Sequence, residues 1–202
     1  DTKITSLTGS FSNLTSVARE LILQNHSMLS SLNVFGDLVS VGANFSLRNN
    51  PLLTDVSGSF GNLISIGGEM AVTDNPLVPT FNSFGNLTSA TGLLFSGNTA
   101  LTTLNWPANI TNVNMGRFEV SNNAALTSLQ APQNVQTMSD NCWIFGNPLL
   151  ASFSGLQNLT TTDYDVWFKD TKITSLTGSF SNLTSVAREL ILQNHSMLSS
   201  LN

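Results

Sequence analysis

The sequence predicts an all-β fold, a parallel β-solenoid of about eight coils, each with roughly 23–25 residues and three short strands. Two repeats of different length lead to this prediction. Residues 170–202 repeat residues 1–33 letter for letter, which gives a 169-residue period, and within it a step such as Leu-Thr-Ser-Leu returns seven times. A fixed period of this kind is typical of repeat architectures, in which each unit packs on its neighbours. The step begins at Ile4, Leu29, Leu53, Val78, Leu101, Leu126, Leu150 and Ile173.

The absence of a helical period is the third observation. No stretch of ten or more residues keeps an apolar face at the i, i+3, i+4, i+7 spacing. Ser, Thr, Asn and Gly are also too frequent for stable helices. A coil that alternates strand and helix is therefore disfavoured.

The long repeat predicts the domain organisation. We expect residues 1–202 to form one continuous solenoid, with residues 1–169 as one seven-coil unit and residues 170–202 as the start of the next identical unit. The short coils within a unit differ widely, whereas the two copies are identical. This contrast indicates that whole units were duplicated or homogenised, as in a tandem array.

The first strand of each coil is the Leu-Thr-Ser-Leu step itself. Alternate side chains of a strand point to opposite faces, so the last residue of the step is expected to point inward. This column contains Leu7, Leu32, Val56, Phe81, Leu104, Leu129 and Phe153.

The second strand follows a recurring Asn and reads Asn-Leu-Thr-Ser-Val in several coils. Its predicted inward column is Leu14, Leu38, Leu63, Leu87, Ile110, Val135 and Leu159. A Phe recurs two residues before the Asn, at Phe11, Phe35, Phe60 and Phe84. We interpret these rings as an internal spine in preference to an exposed strip that stacks on sugars.

The third strand has the pattern x-Leu-x-Leu and is followed by a turn such as Asn49-Asn50-Pro51 or Gly146-Asn147-Pro148. Asn and Gly tolerate a positive φ, which a tight turn requires. The predicted inward column of this strand is Leu23, Leu47, Val72, Phe95, Val120, Ile144 and Phe168.

The recurring phrase F-x-N-L-x-S-[VI] with a following N-P-x-L resembles the receptor L-domain type of leucine-rich solenoid, and especially fungal cell-wall and sporulation glycoproteins of that type. Residues 61–78, GNLISIGGEMAVTDNPLV, match the phrase most closely. The resemblance implies a right-handed parallel β-solenoid that is secreted or wall-anchored and has no enzymatic activity. The chain lacks the cysteine-rich caps of the family, which makes a receptor ectodomain a less favoured interpretation.

Composition excludes several classes of function. Only 9% of residues are charged, against about 25% in an average soluble domain, and the net charge is −5. The seven basic residues are scattered, whereas nucleic-acid binding needs clustered Lys and Arg, so no nucleic-acid partner is expected. Cys142 is the one cysteine, so no disulfide forms within these residues. No apolar run long enough for membrane insertion is present.

Sequons of the form Asn-x-Ser/Thr predict glycosylation. Asn25, its copy Asn194, and Asn44 are the leading candidates, because Asn44 lies in an outward column of charged residues. Further sequons fall in the recurring Asn column, where we prefer a ladder of amides that hydrogen-bond to each other and to turn backbone in neighbouring coils, since Asn62 and Asn134 occupy that column without a sequon. These less favoured candidates are Asn13, Asn86, Asn109, Asn158 and Asn182.

Trp143 and Trp167 lie between inward neighbours one coil apart, so both are expected to point outward. With Tyr164 they form a candidate lateral contact patch, suited to a protein surface or to a carbohydrate. The alternative interpretation is that a local loop shields the outward Trp side chains, and the sequence favours neither.

Catalytic and metal-binding motifs are missing from the sequence, and we expect no cofactor. His26 and its copy His195 lie in a turn, away from other candidate catalytic groups. Asp163 and Asp165 offer two carboxylates, which falls short of the six to eight oxygen ligands that calcium takes.

The function expected from these observations is that of a non-enzymatic extracellular structural protein. Its units stack head to tail or pack side by side in a fibre, sheath or cell-wall appendage, so that its main partner is itself, with glycans as a further candidate partner. The alternative is a cell-surface adhesion module that binds a carbohydrate or protein through a lateral face of the solenoid.

Overall fold

A computed structural model of the chain describes residues 3–7, 9–106, 110–112 and 114–200. It confirms the predicted parallel β-solenoid, because strands of successive coils pair in parallel and in register. In chain order the strands are β1 (Ser16–Val17), β2 (Leu21–Gln24), β3 (Ser40–Val41), β4 (Phe45–Arg48), β5 (Ser65–Ile66), β6 (Glu69–Thr73), β7 (Gly92–Ser96), β8 (Thr103–Asn105), β9 (Asn114–Met115), β10 (Phe118–Ser121), β11 (Ser128–Gln130), β12 (Thr137–Met138), β13 (Cys142–Phe145), β14 (Ser152–Ser154), β15 (Thr161–Thr162), β16 (Val166–Thr171), β17 (Ser185–Val186) and β18 (Leu190–His195). A short 3-10 helix spans Asn82–Phe84.

Three strand positions recur in the coils and form three faces. The third position gives an uninterrupted eight-stranded sheet in the order β2-β4-β6-β7-β10-β13-β16-β18. The second position gives two shorter sheets, β1-β3-β5 and β9-β12-β15-β17. The first position gives the sheet β8-β11-β14, and in the earlier coils it is reduced to single bridges such as Ser6 to Ser31.

The three predicted inward columns form the core. Their members are buried, except that Leu7 and Leu14 of the first coil are half-buried because no coil covers them. The Phe spine is internal from Phe35 onward, and the rings of Phe35 and Phe60 stack with centroids 5.5 Å apart. Burying one such side chain per strand in every coil supplies most of the stabilisation, at roughly 1.5–3 kcal/mol each.

A residue with positive φ ends the third strand of every coil, as the turn chemistry predicts. Asn, Asp and Gly are the residues that adopt this left-handed conformation at the lowest energetic cost. The column is Asn25, Asn49, Asp74, Gly97, Asn122, Gly146, Asp170 and Asn194. The next coil therefore begins at the same place on the solenoid each time.

Candidate functional site

A buried asparagine ladder runs along the solenoid, one residue after the positive-φ column. The side-chain oxygen of each Asn accepts a hydrogen bond from the backbone N–H of the residue one coil earlier, at 3.1 Å from Asn75 to Asn98. Its Nδ2 donates to a carbonyl in the third strand of the preceding coil, at 2.9 Å from Asn98 to Val72. The members are Asn50, Asn75, Asn98, Asn123 and Asn147, each 0% exposed.

Residues of the repeated sequence occupy the same column on either side of this ladder, and His26 bonds to it directly. The backbone N–H of His26 donates to the side-chain oxygen of Asn50 at 3.2 Å, and the hydroxyl of Thr171 lies 2.9 Å from Nδ1 of His195. The turn motif predicts only turns at these positions, and the ladder was not predicted. The signal that identifies it is an Asn at the same turn position in five consecutive coils.

The recurring Asn column forms part of the predicted ladder. Nδ2 of Asn62, Asn86 and Asn158 donates to a backbone carbonyl of the preceding coil at 2.8–2.9 Å, which confirms the predicted bonds to backbone in neighbouring coils. Bonds between amides are found elsewhere in the described residues, in the buried ladder and from Nδ2 of Asn49 to the side-chain oxygen of Asn25 at 2.8 Å. An amide nitrogen carries two hydrogens, so one glycan on Nδ2 still leaves a donor for the bond to backbone.

The less favoured glycosylation candidates of this column lie at the surface where the structure describes them. Asn13, Asn86, Asn158 and Asn182 are exposed. Asn109 lies outside the described residues. Exposure makes these amides accessible and leaves their glycosylation a prediction.

The leading glycosylation candidates are also exposed. Asn44 donates from Nδ2 to Glu20 at 3.2 Å, and its side-chain oxygen accepts the backbone N–H of Glu69 at 2.9 Å. Asn25 and Asn194 occupy positive-φ turns, where Asn194 donates to Asp170 at 2.7 Å. All three lie on the outer surface of the third face or on its edge.

Trp143 and Trp167 pair in register between β13 and β16 and are half-buried. Their rings stack with centroids 4.8 Å apart and planes at 16°. Because this distance matches the spacing of strands in a sheet, about 4.8 Å, the rings stack along the solenoid axis. Nζ of Lys169 lies 3.8 Å from the Trp167 ring centroid. Each ring therefore covers one face of the other, and Nε1 of both rings is buried.

Tyr164 precedes β16 and is 37% exposed. The guanidinium carbon of Arg188 lies 4.3 Å from its ring centroid. Both aromatic sites thus carry a cation, an arrangement worth about 0.5–1 kcal/mol at exposed positions.

An ion pair on the third face spans two coils. Arg117 donates to both carboxylate oxygens of Glu69, at 2.9 and 3.1 Å, and to Glu119 at 3.4 Å. Gly92 occupies the intervening coil in the same column, where a Cβ would lie 3.2 Å from the backbone oxygen of Arg117 and 3.5 Å from Cγ of Glu69. Glu119 also accepts the hydroxyl of Ser121 at 2.8 Å. These carboxylates are engaged in structural contacts within the sheet.

Two titratable groups have shifted pKa values. Burial raises the pKa of the Cys142 thiol to about 12, so it stays protonated at neutral pH and is a poor nucleophile. Hydrogen bonds from Ser57 lower the pKa of the Asp55 carboxyl.

Within the described ranges, no three His, Cys, Asp or Glu side chains converge as a metal site would require. In that same part of the chain, no helix has the length and apolarity to cross a membrane.

The two copies of the repeated sequence lie in opposite environments. Leu23 is 7% exposed beneath the second coil, whereas its copy Leu192 is 40% exposed. Conversely, Leu7 is half-buried and its copy Leu176 is buried. Among the residues that the structure describes, the first copy packs against the coil that follows it and the second packs against the coil that precedes it.

The uncovered side of the second copy is an open apolar cavity of about 490 Å³, which we call the end face. It is lined by residues of three strand positions, including Leu176, Phe180, Leu183, Leu190 and Leu192. This end face lies where the environments of the two copies differ, and it is a candidate assembly site.

Comparison with known proteins gives no match to a family model, a curated protein or a solved structure.

Proposed function

We propose that this chain belongs to a non-enzymatic extracellular structural protein, in which 169-residue units stack into one continuous solenoid and build a fibre, sheath or surface appendage. The observation that supports this proposal is the joint between units. There β18 of the second copy pairs with β16 through Val166 to Leu190 and Phe168 to Leu192, the same parallel register that joins coils within a unit. Ile173 is 1% exposed at this joint. The start of a unit therefore packs on the end of the unit before it.

The proposed setting is the cell surface. A charged fraction of 9% is low for a soluble domain, and exposed sequons at Asn25, Asn44 and Asn194 offer glycans as a source of solubility. The coil phrase similar to L-domain-like fungal wall glycoproteins extends the proposal to a cell wall. The principal partner is then another unit of the same sequence.

A second candidate is an adhesion module that uses the lateral aromatic surface. Its support is the stacked Trp143–Trp167 pair with Lys169 beside it on the third face. Because each ring covers one face of the other and Lys169 lies over Trp167, less ring face is open for a sugar, and we favour a protein ligand for this surface.

The continuous stack is tested with a longer chain, in which residues 1–202 are followed by a second copy of residues 34–202. Seven added coils at about 4.8 Å each should lengthen the particle by about 34 Å at constant cross-section. Small-angle X-ray scattering measures both quantities. As a control, a Gly-Ser linker of about ten residues at the joint should uncouple the units. A two-unit chain that scatters like the linker control would refute the continuous stack.

Glycosylation is tested by mass spectrometry of glycopeptides from the native protein. We expect glycans at Asn25, Asn44 and Asn194, because their side chains are exposed and lie outside the recurring Asn column. Asn62 has the same residue type without a sequon and serves as the internal control. If all three candidate sites are bare, the extracellular setting loses its support, while the stacking proposal stands.

A further inference from the structure

We infer that the end face is a specific binding site for a polypeptide segment with the sequence of residues 34–50, which docks on it as an added parallel coil. We call this sequence the covering segment. The inference rests on the proposed stacking of units and names the group that each unit recognises. The occupant is a second copy of residues 34–50, carried either by the same polypeptide or by another one.

The structure already contains this complex once. Residues 178–195 repeat residues 9–26, and in the first copy the covering segment lies on that surface, with β4 paired to β2. The backbone contacts include Leu21 N–H to Asn44 O at 3.0 Å and Asn25 N–H to Arg48 O at 3.1 Å. The second copy has the same sequence and the same fold, so it presents the same donors. The N–H groups of Leu190 and Asn194 correspond to those of Leu21 and Asn25.

The backbone acceptors on the end face also correspond to acceptors that the covering segment uses in the first copy. In the first copy the N–H of Gly42 donates to Val17 O, and the N–H of Ala43 donates to Arg19 O, both at 2.8 Å. Val186 and Arg188 are the copies of those acceptors. The site therefore offers backbone donors and acceptors in a fixed order. A strand that docks in another register places its own N–H and C=O groups where they cannot pair with them.

Apolar contacts give the site its shape. The ring of Phe35 stacks on Phe11 with centroids 5.7 Å apart and planes at 9°, and Phe180 is the copy of Phe11. Leu190, the copy of Leu21, is 56% exposed on the end face, whereas Phe45, which pairs with Leu21, is fully buried. Docking of a second covering segment removes this apolar surface from water.

A glycine makes the recognition selective. A Cβ at Gly42 would lie 2.2 Å from the carbonyl oxygen of Ala18, closer than any real contact. Ala187 is the copy of Ala18 on the end face. A segment with a larger residue in place of Gly42 therefore clashes with backbone, which cannot rotate away as a side chain does.

The experiment extends the 202-residue chain at its C-terminus by a copy of residues 34–58 and follows amide hydrogen exchange by NMR. We expect exchange at Leu190 and Asn194 to slow about tenfold or more, since both N–H groups become donors to the added coil. The matched control is the same extension with Gly42→Val in its copied segment, which should restore fast exchange. Amides of Val72 and Val120 report that the rest of the solenoid stays folded.

A separate arm adds residues 34–58 as a free peptide, which distinguishes an occupant on another polypeptide from one that must be covalently linked. Protection in either arm, lost with Gly42→Val, supports the inference. Equal exchange with and without both forms of the segment, or protection that survives Gly42→Val, would overturn it. Protection combined with a two-unit chain that is not a continuous rod would overturn the proposed fibre and leave this binding site intact.

Discussion

Replacing Asn98 with Leu is expected to lower the free energy of unfolding by about 1.5–4.5 kcal/mol, because the buried N–H of Asn75 loses its acceptor, at about 1–3 kcal/mol, and the carbonyl of Val72 loses one hydrogen bond, at about 0.5–1.5 kcal/mol. The amide of Asn98 is completely buried and satisfies these two groups, the N–H of Asn75 and the carbonyl of Val72. Leu is similar in size to Asn but offers neither a donor nor an acceptor. Equilibrium unfolding in urea measures the loss.

The matched control is Asn62→Leu, in an exposed column. Asn62 makes one hydrogen bond, from Nδ2 to the carbonyl of Gly36 at 2.8 Å, and water can replace it. We expect a loss of about 1 kcal/mol or less. Equal losses for the two variants would mean that the buried ladder adds no more to stability than a surface contact.

Gly67→Val is expected to separate the second coil from the third and to cost about 3 kcal/mol or more. A Cβ at Gly67 would lie 2.2 Å from the backbone oxygen of Gly42, and the N–H of Gly67 donates to Val41 O at 2.8 Å. Relief of the clash requires the backbones of the two coils to shift, which strains this hydrogen bond. Urea unfolding gives the magnitude, and hydrogen exchange in β3 and β5 locates the separation.

Gly61→Val is the control for this change. Gly61 is exposed like Gly67, has an ordinary φ, and has no atom within 4 Å of the position that a Cβ would take. A surface change of this kind stays within about 0.5 kcal/mol. If Gly67→Val were as mild as Gly61→Val, the close approach of the coils would not limit their packing.

The inward columns and the positive-φ turns could be predicted because each depends on local chemistry. Leu47 faces the core by simple alternation along a strand, and Asn49 ends that strand because Asn tolerates a positive φ. The short period of the sequence then places equivalent residues above one another. Because every coil repeats the same local pattern, the inward residues of successive coils stack into the columns of the core.

The contacts that join coils could not be predicted to the same depth. Asn75 follows a turn, where an Asn side chain commonly bonds to its own backbone, and only the stacked coil brings the side chain of Asn98 to its N–H. Arg117 bonds to Glu69 across Gly92, two coils away. The sequence places these three residues in one column, but it does not show which side chains in a column are long enough to bond past a neighbour. The aromatic patch was predicted from alternation alone, which gives the side of a strand and leaves the orientation of a ring open.

By itself the sequence determined the solenoid, its coil length, its core columns and the 169-residue unit, because burial and turn chemistry repeat with the chain. Only the tertiary structure decided which polar groups bond between coils, that the Trp143 and Trp167 faces cover each other, and that identical residues at the two ends lie in opposite environments. The physical reason is that these properties depend on what lies about 4.8 Å away along the axis, on residues about 24 positions distant in the chain. The duplicated segment shows this most directly, since one sequence is covered at Leu23 and open at Leu192.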